Sequence, residues 1–251
     1  MQKQQNTGAH LQPHNDAPKL TFFKGLRDGI PICLGYLSVA FTFGMMVVSE
    51  GYPGWMAVLI SMTNLTSAGQ FAGTELLMSG AFYLEIGITT FVINIRYMLM
   101  SLSLSQKVVS SMSVLERLLL SFGITDEIYA VAMQQKRDVS SPYLAGLILT
   151  PYFGWAFGTF LGATATGFLP DFVRTALGIA IYGMFLAIII PPARKSRPVL
   201  IVVMISCGLA CCFKWIPFIN QLGTGWVIII CAVVAAGFAA WKFPIKEEEQ
   251  T

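Results

Sequence analysis

Apolar residues fill this chain in long blocks, at roughly Ile30–Ser49, Trp55–Met78, Phe82–Leu104, Leu118–Met133, Tyr143–Leu169, Phe172–Ile190, Val199–Ile216 and Leu222–Trp241. The blocks are too apolar on every side for amphipathic surface helices. A bilayer-spanning helix takes about 20 such residues. The pattern predicts an all-α, polytopic membrane protein with about eight hydrophobic segments. Short breaks separate them, among them the turn Gly51–Tyr52–Pro53–Gly54 and the pair Pro191–Pro192 after the sixth. A polar tail, residues 1–21, precedes the transmembrane domain at 22–241, and a charged tail, residues 242–251, follows it. No internal repeat is visible in the residues.

Composition agrees with a lipid environment. Of the 251 residues 55% are hydrophobic and only 12% charged, against about 25% charged in a soluble domain. The net charge of +3 is spread along the chain, with no basic run of the kind that binds nucleic acid. Cys33, Cys207, Cys211, Cys212 and Cys231 lie inside apolar stretches and read as small apolar filler, and His10 and His14 lie in the polar tail. No metal site or cofactor is expected. Residues Met1–Asp16 lack the pattern of a cleavable leader.

Lys and Arg positions leave two topologies open. Eight crossings place both termini in the cytoplasm but leave Lys107 and Arg117 outside. If segments two and four are re-entrant or broken, six crossings remain, Lys107 and Arg117 face the cytoplasm, and only Arg174 and Lys214 lie outside. Segment four is short and carries Asp126 and Glu127. Irregular backbone at membrane depth is tolerated where protein or a watery cavity satisfies it.

Polar groups at membrane depth are costly and mark partners or pathways. Segment two holds Ser61, Thr63, Asn64, Thr66, Ser67, Gly69, Gln70, Gly73 and Thr74. On one continuous helix Thr63, Ser67, Gln70 and Thr74 share a face, either a close-packed seam or the wall of a pathway. Segment three places Thr90, Asn94, Tyr97 and Ser101 on one face, with Arg96 deep in the segment. An arginine there calls for a partner, which makes it a candidate for a buried ion pair or for binding a carboxylate. In segment four, Thr125 followed by Asp126 and Glu127 reads as a helix start, a hydroxyl cap with acids at the positive dipole end. The adjacent acids point about 100° apart on a helix, so one can pair with Arg96 while the other faces a cavity. Gly158, Thr159, Gly162, Thr164 and Thr166 read as a packing seam in segment five.

At these clusters the chain resembles the AzlC family of branched-chain amino acid permeases. The residues that carry the resemblance are Gly29–Ile32, Ala40–Gly44, Thr66–Phe71, Asn94–Leu99, Phe122–Glu127 and Trp155–Thr159, in that order and spacing. Many members carry a glycine where Ser67 stands and a histidine where Tyr97 stands, and some an acid where Leu177–Ile179 is neutral. The resemblance implies export of branched-chain or similar amino acids together with a small hydrophobic AzlD-type subunit.

These readings converge on a secondary transporter of the cell membrane with a small amino acid as substrate. Arg96 or the N-terminus of a broken helix would hold the carboxylate. Asp126 or Glu127 would hold the ammonium group or a coupling proton. Thr66, Ser67, Gln70, Asn94, Tyr97 and Thr125 would complete the substrate and translocation site. No nucleotide-binding P-loop is present, so an ion gradient is the expected energy source. The alternative is a passive channel or facilitator. An enzyme is not expected: the two acids are neighbours rather than facing each other, and HExxH and GxSxG motifs are absent.

Overall fold

The computed structural model describes residues 20–170, 172–173, 176, 183, 186, 189–216 and 222–243. The sixth apolar segment, Phe172–Ile190, falls mostly outside the described residues, as do both tails. The helices whose full extent lies among the described residues are α1 (Phe22–Ser49), α2 (Gly54–Thr63), α3 (Ala68–Met78), α4 (Tyr83–Ser105), α5 (Val114–Ser121), α6 (Asp126–Met133), α7 (Ser141–Ala165), α8 (Arg197–Trp215) and α9 (Thr224–Lys242). Five of them, α1, α4, α7, α8 and α9, are long and apolar enough to cross a membrane.

The core of the bundle is the pair α1 and α7, which run parallel. Their register follows from the glycines. Gly25 lies against the backbone at Tyr143 and Leu147, and Gly44 against the backbone at Thr159 and Ala163. From the other side Gly146 meets Phe22, Gly154 meets Cys33, and Gly162 meets Phe41. Small residues let two backbones approach in a medium that gives helices no hydrophobic reason to associate. The seam expected at Gly158 and Gly162 is therefore made with α1.

Contacts at the helix ends fix the directions of the rest. The end where α1 and α7 begin is here called the near face, and the opposite end the far face. At the near face Ser140 Oγ bonds the Leu20 carbonyl at 2.8 Å. Val109 N bonds Val139 O at 3.0 Å, and Val139 N bonds Lys107 O at 2.8 Å. The end of α4 thus sits beside the start of α7, and α4 runs opposite to α1. Its own first turn is at the far face, where Glu85 receives the start of α9 through Gly225 N at 2.9 Å. In consequence α9 runs from far to near. Helix α8 packs on α9, and none of its residues is buried.

Because α1 ends and α4 begins at the far face, segment two enters and leaves on that face. Helix α2 starts beside Ala163 and Val48 and ends mid-bundle, where Tyr152 OH bonds Met62 O at 3.1 Å. Residues Asn64–Ser67 break the helix. Helix α3 then returns along α4, with Gly69 against Asn94 and Gly73 against Thr90. Segment four does the same from the near face. Helix α5, opened by a capping box between Ser113 and Glu116, reaches mid-bundle at Gly123, which lies against Ile148. Helix α6 returns to the near face, where Lys107 Nζ bonds Met133 O at 2.7 Å and Lys24 Nζ bonds Gln135 Oε1 at 3.2 Å.

Of the two topologies the sequence leaves open, the structure has the one in which segments two and four are broken, not eight unbroken crossings. Segments two and four are re-entrant hairpins of two half-helices each. The shared face expected of Thr63, Ser67, Gln70 and Thr74 does not exist, because the chain leaves the helix between Thr63 and Ala68. The orphaned backbone groups at each break lie inside the protein, where side chains reach them.

Candidate functional site

The tips of the two hairpins meet at mid-bundle and enclose a cavity of about 220 Å³. Tyr36, Ser67, Arg96, Tyr97, Asp126, Glu127 and Trp155 line it, with Thr125, Leu65, Ala68 and Ile93. Half-helices α3 and α6 both begin here, so two positive helix ends face one space. Thr125 caps α6, its hydroxyl accepting from Ile128 N, and Asp126 and Glu127 occupy the first turn. At α3 the cap position is Ser67, whose side chain makes no cap bond, and the first turn carries no acid. Among described residues Ser67 is the one non-glycine with positive φ, at 48°.

Arg96 projects from the middle of α4. Its Nη1 lies 2.7 Å from Asp126 Oδ2, its Nη2 donates to Tyr97 OH at 3.1 Å, and the guanidinium sits 4.9 Å from the Tyr97 ring centre. The side chains of Arg96 and Asp126 stay 40% and 43% exposed, so the pair faces open space as well as each other. Tyr97 OH donates to the Thr66 carbonyl at 3.1 Å, which ties α4 to the break in the first hairpin. Across the cavity the Tyr36 hydroxyl lies 2.6 Å from both Thr125 Oγ1 and Glu127 Oε2. The Tyr36 ring packs edge-on against Trp155 at 5.1 Å.

The structure separates the residues singled out in the sequence. Ser67, Arg96, Tyr97, Thr125, Asp126 and Glu127 come together at the cavity. Gln70 does not line it. Only 1% exposed, Gln70 accepts from Trp155 Nε1 at 3.0 Å and donates to Ser61 Oγ at 2.8 Å, and Ser61 Oγ meets Thr159 Oγ1 at 2.7 Å. This network bolts the first hairpin to α7. Asn94 packs against the first turn of α3, and its Oδ1 is buried without a partner. Thr66 contributes its carbonyl, while its hydroxyl bonds Asn64 Oδ1 at 2.6 Å.

Sequence reasoning missed Tyr36 and Glu85. Tyr36 lies in an apolar run with no polar neighbour at helical spacing. Its partners are about 90 residues away. Glu85, 5% exposed, sits in its own helix's first turn, where an acid needs no further explanation. Among described residues no group of three His, Cys, Asp or Glu could hold a metal ion, and Cys207, Cys211 and Cys212 are exposed on α8.

Apolar helices long enough to cross a bilayer, and polar half-helix tips meeting between them, define an integral membrane protein. A family model described as AzlC protein matches residues 31–169, more than half of the chain. The inner membrane protein YgaZ of Escherichia coli is 26% identical over 197 residues, 76% of this chain and 80% of that one. An uncharacterized membrane protein of Archaeoglobus fulgidus is 33% identical over 180 residues, 71% of this chain and 78% of that one. Another from Helicobacter pylori is 28% identical over 174 residues, 64% of this chain and 75% of that one. No solved structure matches. The chain belongs to the AzlC family.

Proposed function

We propose that this protein is a secondary transporter that exports branched-chain or similar neutral amino acids. The observation that carries the reading is the mid-bundle cavity, which offers groups of both signs within apolar walls. A zwitterion needs an acceptor for its ammonium group and donors for its carboxylate. Glu127 supplies the first. The donors are the guanidinium of Arg96 and the α3 half-helix end, which holds no acid of its own. Asp126, paired with Arg96, completes the charge balance. Leu65, Ile93 and Trp155 give the aliphatic side chain an apolar wall. Half-helix ends aimed at substrate groups near the bilayer midplane recur in secondary transporters.

An ion gradient drives the cycle, and a small hydrophobic AzlD-type subunit completes the working unit. In this reading the protein acts as a carrier rather than an enzyme. On the same reading the near face is cytoplasmic, with both termini on that side, which Lys24, Arg27, Lys107, Arg117 and Lys242 on that face support.

The test is efflux from cells preloaded with a leucine-containing dipeptide, with this chain alone and with its small partner. Faster leucine efflux that collapses with the proton gradient supports the proposal. Unchanged efflux of leucine, valine, isoleucine and methionine overturns it. Re-entrant hairpins entering from both faces also favour a second reading, a passive facilitator. That reading requires solute movement only down its gradient, and uphill export rules it out.

A further inference from the structure

We propose that Tyr36 and Tyr97 are paired latches related by an inverted internal repeat, each holding shut the half of the pathway filled by the hairpin it bonds. The inference rests on the transport reading above and adds how access to the cavity is controlled.

The repeat is visible in the geometry. Helices α1, α2 and α3 begin at residues 22, 54 and 68, and α4, α5 and α6 at residues 83, 114 and 126. Each unit is a long helix followed by a two-part hairpin, and the units run in opposite directions. Tyr36 stands 14 residues after the start of α1, and Tyr97 stands 14 residues after the start of α4. Each tyrosine bonds the hairpin break of the other unit: Tyr36 reaches Thr125 at 2.6 Å, and Tyr97 reaches the Thr66 carbonyl at 3.1 Å. Repeats inverted about an axis in the membrane plane are a general way to build a site that opens alternately to two sides.

The direction of each latch follows from where its hairpin lies. Helices α5 and α6 fill the space between the cavity and the near face. Freeing their tip from Tyr36 separates α6 from α1 and opens the near half. Helices α2 and α3 fill the far half, and freeing their break from Tyr97 separates α3 from α4. The two bonds are not equally strong. Tyr36 also meets the Glu127 carboxylate at 2.6 Å, and bonds to charged groups are the stronger kind. A cation held by Glu127, a substrate ammonium or a proton, competes directly with the near latch. A carboxylate held at Arg96 draws on the guanidinium that now donates to Tyr97, and so weakens the far one.

The experiment uses the full chain with its five natural cysteines replaced by alanine. One reporter cysteine is placed at Ala68, which lines the cavity. Reporters at Ser113 and Glu50 in separate chains mark the near and far sides. Labelling by a membrane-impermeant thiol reagent is measured from each side in right-side-out and inside-out vesicles. Tyr36→Phe should raise labelling of the Ala68 reporter from the near side by roughly two- to tenfold, the size of one lost hydrogen bond. Tyr97→Phe should do so from the far side. Both substitutions keep the ring, and amounts in the membrane and melting temperature report folding. If Tyr36→Phe eliminates the folded protein, Thr125→Val replaces it as the near-side test; if Tyr97→Phe does, the near-side shift alone decides. Equal effects from both sides, or none in folded protein, overturn the latches. Opposite shifts without leucine export keep the latches and reject the amino-acid reading. Leucine export without the opposite shifts does the reverse.

Discussion

Arg96 Nη1 and Asp126 Oδ2 stand 2.7 Å apart where the middle of a long helix meets the first residue of a half-helix from the same repeat. The pair is neither buried nor at the membrane surface. It borders a cavity, so each charge keeps a side free for a third group while the other offsets its cost at membrane depth.

Removing one charge should therefore do more harm than removing both. Asp126→Asn leaves Arg96 without its counter-ion and is expected to abolish gradient-driven export. The double change Arg96→Gln with Asp126→Asn should restore expression and melting temperature but not export. Leucine efflux and thermal stability, measured on the same preparations, separate the two effects. Normal export by Asp126→Asn would remove the acid from the mechanism.

Ser67 carries backbone strain at the opening of α3, with φ 48° and ψ −98°. Such a conformation costs a side-chain-bearing residue about 1–3 kcal/mol. Ser67→Gly should raise the melting temperature, and Ser67→Val should lower it. An unchanged melting temperature for both would mean that Ser67 sits in an ordinary conformation.

The Gln70 network predicts a loss of stability rather than a change of specificity. Gln70→Leu leaves Trp155 Nε1 and Ser61 with broken partners, and a buried orphan donor costs about 1–3 kcal/mol. Adding Trp155→Phe removes the orphan, so the double variant should recover part of the lost stability. Thermal melts of the single and double variants measure this coupling. A single variant as stable as the parent would show that the network adds nothing to stability.

The helix seam gives a matched comparison. A Cβ at Gly162 would collide with the Phe41 backbone, whereas one at Gly35 meets nothing within 4 Å. Gly162→Ala should destabilise by at least about 1–3 kcal/mol, the scale of overpacking. Gly35→Ala should be neutral or stabilising, since alanine is the better helix former by about 1 kcal/mol. Equal melting temperatures would contradict the close approach of α1 and α7.

The extent to which these features were legible in the sequence follows the range of the interactions. Hydropathy marked α1, α4, α7, α8 and α9, because a lipid-facing helix is defined by its own residues. The cost of Arg96 and of the two acids at membrane depth brought them forward as a site. Charge placement admits a break in segment two, but hydropathy does not locate it at Asn64–Ser67, since Leu65 and Phe71 keep the hydropathy high across it. Its cause is tertiary: Tyr97 holds the Thr66 carbonyl, and Trp155 with Ser61 holds Gln70. Gln70 looked like a pathway residue because its amide demands partners, and the sequence could not say that Trp155 provides one. The repeat left no trace in residue identities. It lives in helix order and in two tyrosines at matching depth.

The most direct test of the central claim is whether solute occupies the space where the hairpin tips meet. With a single cysteine at Ala68, the rate of thiol labelling is measured with and without leucine, at concentrations that saturate efflux. Saturable slowing by leucine, absent when glycerol replaces it and lost in Asp126→Asn, is the predicted result. Undiminished labelling in a chain that still exports leucine would place the solute path elsewhere in the bundle.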